Sequence, residues 1–142
     1  MAVKIAPELI QNLQQIEAVV AGPDDVNRLF IIDGQFDCQM SVFPPGAAGE
    51  SQKETFTVLA GPIFTRKQFA QANGTASFTK TGFNASTAAW QILGVDADWD
   101  DESGQVELRI EATVEINGGQ NNKIAIYGFA FHVTILAAVS AA

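Results

Sequence analysis

From Gln105 to Ile116 apolar and polar residues alternate without interruption. Val106, Leu108, Ile110, Ala112, Val114 and Ile116 share one parity, and Glu107, Arg109, Glu111 and Glu115 share the other. A strand sends successive side chains to opposite faces, so the pattern commits this stretch to a sheet with one dry face and one wet face. A helix would place its apolar residues three and four apart. The fold class follows: a mainly β protein, an antiparallel sandwich or partly closed barrel of about six to eight strands, with an α+β roll as the alternative.

The N-terminal segment is expected to differ. Leu9, Leu13, Ile16 and Val20 recur at gaps of four, three and four, with Pro7 and Glu8 suited to a first turn and Gly22-Pro23 to a stop. This spacing predicts one amphipathic helix over residues 7–21. Its apolar stripe can dock on the protein's own sheet or on a neighbouring subunit.

After Asp24-Asp25, residues Phe30, Ile32, Phe36, Cys38, Met40 and Val42 share one parity across Asp33-Gly34, which favours one long strand over a hairpin turn at that dipeptide. Pro44-Pro45-Gly46 ends it. Phe56, Val58 and Ala60 mark a second strand, closed by Gly61-Pro62. A short helix over Lys67–Ala72, a turn at Asn73-Gly74 and a strand over Thr75–Thr81 follow from weaker signals. Trp90–Trp99 reads as a strand with Leu93, Val95, Ala97 and Trp99 on one face. Turns at residues 100–104 and at Asn117-Gly118-Gly119 predict an antiparallel meander over residues 90–136. The last strand is apolar on both faces, with Ile124, Ile126 and Ala130 on the side that also carries His132, so both faces need cover.

The chain has 142 residues, which suits a single domain spanning 1–142. Its one cysteine, Cys38, cannot form an internal bridge and reads as a small core residue. Without a secretory apolar region near its start, the expected location is cytoplasmic. The net charge of −8 arises from scattered residues, with no clustered basic face for nucleic acid. The uncharged run from Ile124 onward is long enough for a membrane helix, but its β-branched and aromatic content, Gly128 and His132 favour a strand. Only 17% of residues are charged where about 25% is usual, the balance being small and amide side chains that suit subunit contacts.

One pattern suggests a metal. Asp96, Asp98 and Asp100, with Glu107 at the twelfth place, reproduce the carboxylate spacing of a calcium loop. The sixth position is Asp101 where that loop requires glycine, and the flanks alternate like strands, so an acidic hairpin turn competes with a Ca²⁺ site. His132 is the only histidine and forms no recognisable metal site or triad by sequence. Asp33, Asp37, Asp96 and Asp98 could converge in three dimensions for carboxylate-pair catalysis, but nothing in their spacing favours it. No cofactor is expected.

Function is therefore read from architecture. The expectation is a non-enzymatic subunit of a homo-oligomer, such as a virion or phage injection-apparatus component (capsid, neck, tail or baseplate), touching its own copies and other particle proteins. Its contacts would be Leu9, Leu13, Ile16 and Val20 on the helix and Ile124, Ile126, Ala130 and His132 on the last strand. The alternative is a carbohydrate- or calcium-binding module using Trp90, Trp99, Tyr127 and the acidic loop.

Overall fold

The structure is a computed structural model and describes residues 2–21, 26–42, 50–83, 88–116 and 124–138. The stops expected at Gly22-Pro23 and Pro44-Pro45-Gly46 and the turn expected at Asn117-Gly118-Gly119 lie outside these residues.

The described residues form eight strands in two four-stranded sheets. In chain order they are β1 (Ala2–Lys4), β2 (Ile10–Ala21), β3 (Val26–Val42), β4 (Glu50–Ala60), β5 (Phe69–Phe83), β6 (Ala88–Trp99), β7 (Val106–Ile116) and β8 (Ile124–Ala138). The first sheet has the order β1-β4-β7-β6 and the second β2-β3-β8-β5. All pairings are antiparallel except the short parallel one between β1 and β4.

One apolar core lies between the sheets. β7 supplies its floor: the six apolar residues of its even parity are fully buried, and Arg109 and Glu115 on the opposite face are exposed. From the other sheet come Phe30, Ile32, Phe36 and Met40 of β3 and Phe129, Phe131, Val133 and Ile135 of β8. The long strand expected through Asp33-Gly34 is present as β3, with Gly34 buried where it passes the Phe131 ring.

The expected helix over 7–21 is absent. Pro7–Leu9 make a single 3-10 turn, and β2 then runs as a strand along the edge of β3. A twelve-residue strand reaches about 40 Å where the same helix would reach about 18 Å, so only the strand satisfies the open backbone groups along β3. The heptad-like gaps misled because β2 carries apolar side chains on both faces. Leu13 and Gln15 line the gap between the sheets beside Ile32 and Phe131, while Ile16 and Val20 fall on the outer face, opposite Ile31 and Asn27.

Three other expectations are corrected. Residues 69–83 form one strand with no helix before it, and Gly74 sits inside β5, where a Cβ would come within 2.4 Å of Leu108 Cδ1. Asn73-Gly74 is thus a point of close approach between sheets and not a turn. The meander is also broken: β6 pairs with β7, but β8 crosses to the other sheet and pairs with β3 and β5. β8 thus takes the centre of the second sheet, and the cover expected on both its faces is corrected: Ala130, His132 and Thr134 lie half-buried on the outer face while Phe129, Phe131, Val133 and Ile135 are buried in the core. Among the described residues no helix is long and apolar enough to cross a membrane.

Candidate functional site

The acidic residues gather around the hairpin between β6 and β7. Asp96 and Asp98 are exposed on the outer face of β6, opposite Arg109 and Glu107 of β7. They share a cleft of about 160 Å³ with Trp99, Asp100, Glu107 and Arg109. Asp100 is engaged within the turn: its Oδ2 accepts from Ser103 N at 3.0 Å and Ser103 Oγ at 2.7 Å, fastening a turn that ends at Gly104 with φ +74°. The Ser103 hydroxyl and then its amide hold the Asp100 carboxyl below its ordinary 3.8. Asp98 Oδ1 accepts from the Trp99 amide at 2.8 Å. The four calcium candidates Asp96, Asp98, Asp100 and Glu107 therefore line one cleft, which also contains the Arg109 cation. Among the described residues no three His, Cys, Asp or Glu groups come together as metal ligands.

The tryptophans proposed as a sugar platform are anchored inward. Trp90 Nε1 donates to the Ala125 carbonyl at 3.0 Å, and Trp99 Nε1 donates to those of Phe64 and Gly104, each at 3.1 Å. Both rings pack on the core. A β-bulge between Ile92 and Gly94 shifts the parity of β6, so Ile92 packs on the core and Leu93, expected inside, is exposed.

On the outer face of the second sheet, His132 Nδ1 lies 2.7 Å from Asp33 Oδ1 and Nε2 lies 3.0 Å from Thr134 Oγ1. The ring is held at both nitrogens, by a carboxylate oxygen on one side and a hydroxyl on the other, with the donor and acceptor roles set by the tautomer. Carboxylate, imidazole and hydroxyl thus stand in the order of a nucleophilic triad. Their cross-strand neighbours are Gln14, Thr75 and Asn73, the side chains of an open sheet surface. In that setting the chain of hydrogen bonds ties β3 to β8. Thr134 shares the parity of His132 and was legible from sequence; Asp33 depends on the β3–β8 register and was not.

Lys80 Nζ lies 3.1 Å from Asp37 Oδ1, and Gln11 Nε2 donates to Asp37 Oδ2 at 3.0 Å. The Lys80 hydrogen bond first and the Gln11 one second hold the Asp37 carboxyl below 3.8. Lowered carboxyls favour the folded state above the unfolded value and lose that contribution as pH falls through the folded value. In Asp37→Asn the drop in urea midpoint from about pH 4 to pH 2 is therefore expected to be shallower than in the unsubstituted protein. An identical drop would show that this carboxylate is not linked to folding.

Cys38 is half-buried, and its Sγ lies 3.7 Å from the Ile126 carbonyl. Burial first, and the neighbouring Asp37 charge second, push the thiol up to about 11. Because the thiolate is the reactive form, a thiol reagent at mildly alkaline pH is expected to label the native protein roughly a hundredfold more slowly than the urea-unfolded chain. Equal rates would place Cys38 in a more open setting.

The residues expected at an interface separate into three groups. Ile124 and Ile126 are fully buried within the protomer, so they belong to its core. Ala130 and His132 are half-buried on the outer sheet face. Leu9, Leu13, Ile16 and Val20 are exposed at 56, 57, 60 and 46%, and Val19, which the sequence reading passed over, at 62%. Every residue from Gln11 to Val20 is exposed.

Comparison with protein-family models, with curated proteins and with solved structures finds no match.

Proposed function

We propose that this chain is a non-enzymatic structural subunit of a homo-oligomer, of the kind that builds a virion or an injection apparatus. The observation that carries this reading is β2. It is a twelve-residue edge strand bearing Leu13, Ile16, Val19 and Val20 in water. An edge of that length and hydrophobicity is a template for association unless another chain covers it. Natural edges are usually blunted by lysine, proline, bulges or inward charges; β2 contains neither lysine nor proline, its bulge is confined to Gln11–Gln14, and its one inward charge, Glu17, is neutralised by Arg28. The titratable side chains support the same reading. Asp100, Asp37, Asp33 and His132 are each engaged in hydrogen bonds that fasten turns or strands.

Light scattering over a range of concentrations, with and without Ca²⁺, tests the proposal. The expected result is a native mass that is a fixed multiple of 15.1 kDa, persists on dilution and ignores Ca²⁺. A mass of one protomer at every concentration would overturn it.

A further inference from the structure

The other edges of the sandwich differ from β2. β5 packs against β6 where the two sheets meet, β6 carries Asp96 and Asp98, and the β1–β4 edge carries Lys4, Lys53 and Glu54. β2 has a single charge, Glu17, and Arg28 of β3 is ion-paired with it. The chain as a whole carries −8, so two copies repel unless they meet along a neutral strip.

We infer that β2 is where two copies of this chain join, pairing antiparallel with its twin about a twofold axis through Ile16, so that two four-stranded sheets become one continuous sheet. This rests on the homo-oligomer reading and names the contact within it.

The order of residues along β2 is self-complementary in that register. Ile16 meets Ile16 of the second copy on the outer face. Leu13 meets Val19 on the inner face, twice by symmetry. Gln14 meets Ala18, and the Gln15 amide stands across from the Glu17 carboxylate. Apolar pairs directly opposite one another stabilise an antiparallel ladder, and like charges opposite one another destabilise it. Moving the axis one residue on, to Glu17, would set two carboxylates face to face. The backbone groups of β2 that point away from β3 gain partners in the same step. An isologous contact of this kind closes on itself as a dimer, leaving other surfaces for any larger particle.

Directly opposed Cα atoms in an antiparallel pair lie about 4.5–5.5 Å apart, within disulfide reach. In a Cys38→Ala background, Ile16→Cys is therefore expected to form a covalent dimer nearly completely under mild oxidation. Thr75→Cys, on the same outer face at the far edge, is expected to remain uncross-linked. Separately, Ile16→Lys places two ammonium groups at the axis and is expected to lower the native mass at least twofold with an unchanged β circular-dichroism spectrum. Should Ile16→Lys misfold, the cross-link decides alone.

An unsubstituted protein that is monomeric throughout would overturn both this contact and the homo-oligomer reading. An oligomer in which Ile16→Cys fails to cross-link, or cross-links no better than Thr75→Cys, would overturn the β2 contact and leave the homo-oligomer reading standing.

Discussion

Phe129→Ala is expected to lower the unfolding free energy by about 3–5 kcal/mol, the usual range for emptying a buried phenylalanine site. Phe129 is fully buried at the centre of β8. Its ring centroid lies 5.5 Å from that of Phe36, 5.3 Å from Phe56 and 5.5 Å from Phe78. These partners come from β3, β4 and β5, so the ring touches both neighbours in its own sheet and the sheet opposite. All the contacts are tilted, the arrangement aromatic pairs prefer. Three rings around one vacancy cannot all move in to fill it, which places the cost toward the upper end of the range. Typical domains have only about 5–15 kcal/mol to lose. Urea denaturation of both proteins measures the difference, and a loss under about 1 kcal/mol would mean that the cluster repacks freely.

Gly34→Val is expected to cost about 1–3 kcal/mol through overpacking. Built on the Gly34 backbone, a Cβ lies 2.6 Å from Phe131 Cζ, 2.9 Å from Phe131 Cε1 and 3.0 Å from Ile10 Cγ2. The Phe131 ring and the Ile10 side chain packed over the glycine, and not a turn, thus exclude a side chain there. β2 steps out of register between Gln11 and Gln14 just opposite this point, with Asn12 at φ 52°. The bulge carries the edge strand around the site where the Phe131 ring crosses Gly34. Gly94 is the control, since a Cβ there meets nothing within 4 Å. Gly94→Ala is expected to be neutral or to gain about 0.5 kcal/mol by removing glycine's unfolded-state freedom. Equal urea midpoints for Gly34→Val and Gly94→Ala would show that the crossing is not tight.

Features that depend on local period were legible in the sequence. β7 needed only its own alternation, and β3 only a parity kept on both sides of Asp33-Gly34. Features that depend on a neighbour were not. The apolar residues of β2 fall on both faces of an edge strand that pairs only with β3, and such a strand has no single-faced signature. Gly74 looked like half of a turn because nothing local announces that Leu108 lies over it. The acidic cleft was legible as a cluster, but Arg109 enters it only through the β6–β7 register. The Asp33–His132 pair joins residues 99 positions apart, and periodicity carries no information at that range.

The exchange of strands between sheets sets how this molecule comes into being. β7 and β8 are consecutive yet lie in opposite sheets, and so do β1 and β2. Each sheet is therefore assembled from both halves of the chain, and β3 finds its central partner only when β8 arrives. During synthesis the apolar face of β3 waits, unpaired on that side, until β8 has cleared the ribosome. Contacts this distant along the chain are slow to close, on the order of milliseconds to seconds, once the whole sequence is free. The first sheet has all its strands once β7 is made, but its dry face stays uncovered until β8 completes the second sheet, so the core closes last.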